Sequence, residues 1–299
     1  TLKWNITKWM SVTGRARLDN TVMNYTRKIY ASSNKLYASE FGNYQDNTIM
    51  HNNFYGDILL TIDKKFVDDK LSLTANLGAS LVDDKNKASG FEGHLATVAN
   101  KFSVYNISMT HSQTKPYADR WHDQNQAVYG TLQLGWNGMV YIDGTVRNDW
   151  SSQLAFTPNQ SVCYYSAGLS GVISSMADLS GAGISFLKVR GSYSTAGNPP
   201  QRFITGVNTP LTVGGNISSD TYAPAKNLKP ELTKSYEAGL NVKFLEDMFD
   251  LDVTYYNATT YNQLFQYDAA PSTGYKQAYI NAGKVNNYGV ELSFGFKHT

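Results

Sequence analysis

The chain has 299 residues and a formal net charge of +2, with 17% charged and 13% aromatic residues, among them 21 Tyr. Soluble domains carry about 25% charged residues, so this composition favours a membrane barrel with aromatic girdles over an ordinary soluble enzyme. The small net charge and the lack of a basic stripe give no support to nucleic-acid binding. No apolar run is long enough for a membrane-spanning helix, so helices of that kind are excluded.

Eleven strands are predicted along the chain, and most of them alternate between apolar and polar residues. They cover residues 1–6, 10–30, 50–66, 71–82, 124–136, 139–149, 161–173, 185–196, 234–245, 249–266 and 276–297. From Leu71 to Leu81 every odd position is apolar and every even position is polar or Gly, which is a length that crosses a bilayer. In the similar strands the charges fall on the other face, as a barrel in lipid requires. A soluble sandwich would show the same alternation, so periodicity alone leaves both folds open.

Short turns and long polar segments alternate between these strands. Tight turns are predicted at 7–9, 67–70, 137–138 and 246–247, with a somewhat longer connection at 174–183. Long polar segments are predicted near 31–49, 83–123, 150–160, 197–233 and 267–275. The strand-like segment 102–110 is assigned to the long segment 83–123, because counting it as a further strand would place the later tight turns and long segments at the wrong ends of the strands. Outer-membrane barrels have short periplasmic turns and long extracellular loops, so the long segments are expected to be extracellular. Because single-chain bacterial barrels have even strand counts, eleven strands predict part of a barrel.

Four segments carry more specific signals: 126–152, which includes Arg-Asn-Asp-Trp-Ser-Ser, 185–198, 227–240, which includes Asn-Leu-Lys-Pro-Glu, and 281–292. They resemble the TonB-dependent outer-membrane transporters of the SusC/RagA type found in Bacteroidetes. The residues that mark this resemblance are Arg147, Asn148, Asp149, Trp150, Ser151, Ser152, Pro230, Glu231 and Gly289. The resemblance covers the chain from about residue 50 onward, and the first 50 residues more weakly.

The resemblance implies an all-β fold, a transmembrane antiparallel β-barrel of 22 strands of which this chain would supply about half. It further implies a plug domain and a TonB-interacting N-terminal region, both expected to lie outside these residues, and a multi-pass protein of the bacterial outer membrane in contact with its lipid. The implied function is energised import of oligosaccharides or oligopeptides with a SusD-like surface lipoprotein as partner, without enzymatic activity or a cofactor. A siderophore-type TonB receptor is one alternative. A soluble β-rich carbohydrate-binding module or glycoside hydrolase is an alternative of another class.

Candidate substrate-binding residues are aromatic or charged residues near the predicted long segments: Trp121, His122, Asp149, Trp150, Tyr222 and Tyr261. Aromatic faces suit sugar rings and carboxylates suit hydroxyl groups, so Asp149 and Trp150 could bind substrate as a pair. The favoured interpretation is that they brace the strand end together with Arg147. For Trp121 and His122, a solvated loop position is likewise favoured over ligand binding. For Tyr222 and Tyr261, a girdle or packing role is favoured.

Metal and catalytic sites are not predicted. The five His residues lack the spacing of a zinc site, and the single Cys163 is interpreted as a small strand residue. The paired carboxylates at 68–69 and 83–84 are expected at strand ends, where Asp favours turns.

Overall fold

A computed structural model of the chain describes residues 1–37, 39–110, 114–206 and 222–297. Its main sheet has eleven antiparallel strands, ten in chain order followed by β13, and β11 and β12 form a separate hairpin. The strands are β1 Leu2–Thr7, β2 Met10–Ile29, β3 Asn43–Phe66, β4 Leu71–His94, β5 Lys115–Trp136, β6 Val140–Ser151, β7 Ser161–Val172, β8 Ile184–Asn198, β9 Glu231–Phe244, β10 Phe249–Tyr261, β11 Leu264–Asp268, β12 Gln277–Asn281 and β13 Lys284–Phe296. Short 3-10 turns lie at Val104–Asn106, Ser152–Leu154, Ile173–Ser175, Ser180–Ala182 and Pro271–Thr273.

Several strands are longer than the sequence predicts. β4 continues to His94 and β5 begins at Lys115, so much of the predicted connection 83–123 is paired strand. The charged residues at 83–87 resemble a loop in the sequence, but each has a directly opposite partner in β5. The segment 102–110 does lie within the connection between β4 and β5, where it contains a single 3-10 turn. Of the predicted connection 197–233, residues 207–221 lie outside the described residues.

Tight connections join β1 to β2, β3 to β4, β5 to β6 and β9 to β10, as the sequence predicts. At the same end of the sheet, the connection from β7 to β8 covers residues 173–183 and is longer than the connection from β6 to β7, residues 152–160, at the opposite end. The remaining connections at that opposite end, from β2 to β3, β4 to β5, β8 to β9 and β10 to β13, are long. Asn137 and Gly138 have φ angles of 52° and 70°, which fits the predicted tight hairpin turn. Because the number of strands in the sheet is odd, the edge strands β1 and β13 run in the same direction.

One surface of this sheet is apolar across all eleven strands, and we call it the apolar face. Directly paired residues share a face, and Leu77 of β4 pairs with Leu60 of β3 and with Gly130 of β5. Leu77 is 61% exposed. The same face exposes Leu18, Ile58, Val128, Ile142, Val146, Leu169, Val290 and Leu292. The sandwich alternative is therefore wrong, because these strands lie in one sheet and do not close their apolar side chains into a dry core.

Aromatic side chains border the apolar face at both ends. Near the short turns they are Phe66, Trp136, Phe249, Phe294 and Phe296, and towards the long connections they are Phe54, Trp150, Tyr165, Tyr193, Tyr236 and Tyr288. Tyr193 packs between Tyr165 and Tyr236, with ring centroids 5.9 Å and 4.9 Å apart. Two aromatic rows that flank an aliphatic band match the girdles of membrane barrels. No helix within the described residues is long and apolar enough to span a membrane.

Candidate functional site

The opposite surface, which we call the polar face, contains ordered pairs of charged side chains. Arg190 of β8 reaches across β9 to Asp252 of β10, with its two terminal nitrogens 3.0 Å and 2.7 Å from the carboxylate oxygens. Arg15 of β2 contacts Asp57 of β3 at 3.0 Å, and the Tyr55 hydroxyl donates to the same carboxylate. Such bidentate and shared contacts fix side chains that water would otherwise leave mobile. The polar face is thus an organised hydrophilic wall.

Large side chains on this wall lie flat over glycines of the neighbouring strand. A Cβ added to Gly78 would lie 2.4 Å from the ring of Tyr129, and one added to Gly239 would lie 2.5 Å from the guanidinium of Arg190. Gly289, a marker of the family resemblance, pairs with Tyr256, whose hydroxyl would lie 2.9 Å from an added Cβ. A Cβ at any of these positions would displace the side chain above it, so Gly leaves the room in which that side chain lies flat.

A cluster of polar and aromatic side chains lies on the polar face near the long connections, and we call it the Trp121 cluster. It consists of His51, Asp84, Asn86, Asp119, Trp121, Asp123, Gln153 and Arg202. The pairing of β3, β4 and β5 places His51, Asn86 and Trp121 side by side in one row. The strand register therefore brings together residues that are 35 positions or more apart in the chain.

Arg202 is the centre of this cluster. Its Nε and one terminal nitrogen lie 2.9 Å and 2.8 Å from Oδ2 of Asp123, and its guanidinium carbon lies 3.5 Å from the ring centroid of Trp121. Gln153 donates to the same oxygen at 3.3 Å, and Asp123 is only 7% exposed. A buried carboxylate is costly unless a cation neutralises it, so Arg202 ties the connection after β8 to the wall of the sheet.

The histidine of the cluster is bound to a carboxylate as well. Nε2 of His51 lies 2.5 Å from Oδ1 of Asp84, and its ring centroid lies 5.7 Å from that of Trp121. One ring face of Trp121 is covered by Arg202, so a sugar ring would reach that face only after Arg202 moves. Local sequence patterns do not indicate His51 or Arg202, because their partners are distant in the chain.

Trp121 and His122, adjacent candidates in the sequence, are not brought together. Because successive strand side chains point to opposite faces, His122 lies on the side of the apolar face. There its Nε2 contacts Oδ2 of Asp83 at 2.7 Å. Only Trp121 belongs to the polar wall.

Asp149 and Trp150 are separated for the same reason, so they do not form a pair. Arg147 donates to Asp149 at 2.7 Å on the polar face, and both line a cavity of about 230 Å³ together with Tyr164. Trp150 lies on the apolar face in the aromatic row nearer the long connections. Asp149 therefore remains a candidate ligand-binding residue, whereas Trp150 belongs to the aromatic girdle.

The other markers between 147 and 152 hold the end of β6. Asn148 donates to Ser161 at 2.9 Å, and the Ser151 hydroxyl accepts from the backbone N–H of Gln153 at 3.3 Å. The Ser152 hydroxyl accepts from the backbone N–H of Gln124 at 2.9 Å. These contacts fix the 3-10 turn that ends the strand. The bracing role expected of Arg147, Asp149 and Trp150 stays a prediction.

The markers Pro230 and Glu231 lie where the chain enters β9. Pro230 is buried, and the Glu231 carboxylate accepts from the backbone N–H of Leu264 at 3.0 Å. Asn281 holds the preceding residue Lys229 through both of its backbone groups, at 2.7 Å and 2.9 Å. This segment therefore joins two long connections at one end of the sheet.

The two candidate tyrosines occupy different places. Tyr222 packs against Tyr279 of the β11–β12 hairpin, with centroids 5.3 Å apart. Tyr261 lies on the side of the apolar face, where the amines of Lys234 and Lys284 lie 5.4 Å and 5.8 Å from its ring centroid. Tyr261 is thus arranged as an interfacial aromatic residue, apart from the polar wall. The described residues contain no group of three or more His, Cys, Asp or Glu that could hold a metal ion.

Residues 1–297 match the family described as TonB dependent receptor-like, beta-barrel. The chain belongs to this family. Barrels of the family lie in the bacterial outer membrane and cross it with strands, so the apolar face is the outer surface and the polar face is the inner wall. Proteins of this family are receptors and transporters, and they are not known as enzymes.

Individual relatives are distant. TonB-dependent receptor P3 of Formosa agariphila is 24% identical over 250 residues, which cover 80% of this chain and 24% of that protein. The chain therefore spans about a quarter of the length of this relative. The structure of the RagAB peptide transporter aligns with a TM-score of 0.85 at 20% identity, covering 98% of this chain and 32% of that one. The siderophore receptor PirA of Pseudomonas aeruginosa aligns at 0.52 and 13% identity, covering 97% and 51%. These two likenesses show the fold alone.

Proposed function

We propose that this chain forms part of the barrel wall of a SusC/RagA-type importer that takes up an oligosaccharide or oligopeptide across the outer membrane. The observation that supports this most strongly is the two-sided sheet, apolar and exposed on one face and lined with paired charges on the other. In this proposal the chain performs no covalent chemistry. It separates lipid from a hydrophilic passage and positions the long extracellular connections.

The dimensions of the apolar face support a membrane position. Leu71 and Leu81 are ten residues apart, which corresponds to about 33 Å along a strand. A strand tilt of about 45° reduces this to roughly 23 Å, close to the apolar band of about 25 Å in outer-membrane barrels. Strands β2 to β5, with 20 to 24 residues each, are long enough to continue beyond that band on the side of the long connections.

Closure of the barrel needs further strands. Because β1 and β13 run in the same direction, pairing them with each other would be parallel, whereas the eleven strands of this sheet pair antiparallel. An odd number of additional strands restores antiparallel pairing at both edges. Eleven more would complete the 22-stranded barrel that the family resemblance implies.

The proposed partners act at the two ends of this wall. A SusD-like surface lipoprotein would cover the long connections, and the TonB complex would act through an N-terminal region of the full-length protein. Arg202 anchors the connection after β8 to β5. The Trp121 cluster would therefore hold this connection in one position, as an ordered surface to which such a partner could bind. Substrate passing this rim would meet Asp149 and the Trp121 cluster on the polar face.

The test uses the full-length protein in its native host. Deletion should abolish growth on one oligosaccharide or oligopeptide, and loss of TonB should reproduce that defect. The protein should fractionate with the outer membrane and copurify with a surface lipoprotein. Extraction without detergent, or uptake that persists without TonB, would overturn the proposal. Growth loss confined to iron limitation would instead favour the siderophore alternative, whose example PirA fits this sheet less well than RagAB does.

A further inference from the structure

Four basic side chains form a compact patch on the lipid-facing side of the sheet, beyond the apolar band. Lys85 of β4 is directly opposite His122 of β5, and Lys87 is directly opposite Arg120. We call these four residues the basic patch. All four are exposed, while Asn86 between the two lysines points to the inner wall and is 9% exposed. The patch is therefore an outward-facing surface of the barrel.

The charge of the patch is only partly neutralised. Asp83 contacts the Lys85 amine at 2.7 Å and the His122 ring at 2.7 Å. Within the described residues, Lys87 and Arg120 have no ion-pair partner, although like charges directly opposite each other in a sheet are unfavourable. The β3 residue opposite Lys87 is Met50, which supplies no charge. An external anion would relieve this repulsion.

The patch lies at the height of lipid headgroups. Lys85 and Lys87 are four and six residues beyond Leu81, or about 13 and 20 Å along the strand. At a tilt of about 45° they stand roughly 9 and 14 Å above the apolar band. Long cationic side chains reach back towards the band, so their charges fall in the headgroup layer.

Two other surfaces lie directly below the patch. A shallow apolar depression of about 450 Å³ is lined by Phe54, Ile58, Leu81, Val128 and Trp150. Gln126 borders this depression, and Gln124, on the same face of β5, lies between the depression and the basic patch. In order from the membrane outwards, the chain thus presents an apolar surface, amide groups and free cations. That order fits acyl chains, sugar hydroxyls and phosphate groups of one lipid molecule.

We propose that the basic patch binds the phosphate groups of an anionic glycolipid in the outer leaflet, with its acyl chains against the apolar depression. This inference rests on the proposed membrane placement of the long connections at the cell surface. Lys87 and Arg120 would bind phosphate directly, because their charges are not used by the protein. The glutamines would hydrogen-bond to the sugar, and Trp150 would pack beside an acyl chain.

The test measures binding of bisphosphorylated lipid A to the full-length protein in uncharged detergent, by native mass spectrometry. The double variant K87Q/R120Q should bind about 25-fold more weakly, since each cation near an anionic membrane surface contributes roughly fivefold. The matched control K101Q/K226Q removes two charges from long connections and should bind like the wild type. The exchange variant K87R/R120K keeps both charges and one guanidinium, so it should retain binding to within about threefold.

Three results would overturn the inference: equal binding of dephosphorylated lipid A, unchanged binding by K87Q/R120Q, or full competition by millimolar inorganic phosphate. Folding of K87Q/R120Q is judged by its heat-shifted electrophoretic mobility. If this variant does not fold, the single variants K87Q and R120Q replace it, and unchanged binding by both would overturn the inference. Outer-membrane fractionation of the same strains separates the two proposals. Correct fractionation without phosphate-dependent lipid binding refutes only the lipid site.

Discussion

The substitution of a single lipid-facing leucine tests the assignment of the two faces. Leu77 lies near the middle of the stretch from Leu71 to Leu81, with its side chain 61% exposed on the apolar face. Arg at the midplane of a barrel surface costs about 2–4 kcal/mol, falling to about 0–1 near the interfaces. We therefore expect Leu77→Arg to lower the free energy of unfolding by about 2–4 kcal/mol. Leu71→Arg and Leu81→Arg should each cost about 1 kcal/mol or less.

The control lies at a similar depth on the other face. Thr74 points to the polar wall and is directly opposite Asp63, so Arg at this position gains a carboxylate partner and meets water. Thr74→Arg should change stability by about 0.5 kcal/mol or less. The assay is urea unfolding of the full-length protein in phosphatidylcholine vesicles, followed by tryptophan fluorescence. A cost for Thr74→Arg equal to that for Leu77→Arg would refute the assignment of faces.

Three further substitutions test local features. Arg202→Ala leaves the buried Asp123 carboxylate without a cation, so it should lower the free energy of unfolding by about 2–3 kcal/mol, measured by urea unfolding. Proteolysis of the connection after β8 should become faster, and unchanged protease resistance would contradict the anchoring role. Gly78→Ala places a Cβ against the ring of Tyr129 and should lower the free energy of unfolding by about 1–3 kcal/mol in the same assay. Adding Tyr129→Ala should recover most of that stability, because it removes the clash. Val67 is a β-branched residue with φ of 54°, so Val67→Gly should leave stability unchanged or raise it by about 1 kcal/mol, whereas a loss would show that its exposed side chain contributes packing.

Much of the fold could be predicted from local patterns. Period-two alternation such as that from Leu71 to Leu81 identifies a strand and its two faces, because the pleat sends successive side chains to opposite sides. Turn residues such as Asn137 and Gly138 identify hairpins, since they accept left-handed backbone angles. The ends of β4 and β5 escaped prediction because the polar residues there are stabilised by cross-strand pairing, which local composition does not reveal.

The candidate site was less predictable. Trp121 and Asp149 were found on the polar wall as aromatic or charged candidates, whereas His122 and Trp150 point away from it. With the limits of β5 and β6 known, odd and even positions would have been assigned to opposite faces, which is enough to place each of these adjacent residues. His51 and Arg202 could not have been found in this way, because their contacts with β4 and β5 depend on strand register and on the path of a long connection.

The sequence by itself determined a sheet of about eleven membrane-type strands with tight turns mostly at one end, because strand periodicity and turn chemistry are local properties of the chain. Only the tertiary structure decided which residues become neighbours: the Trp121 cluster inside the wall and the basic patch outside it. Register joins residues far apart in sequence, and a shift of one residue would exchange the two faces.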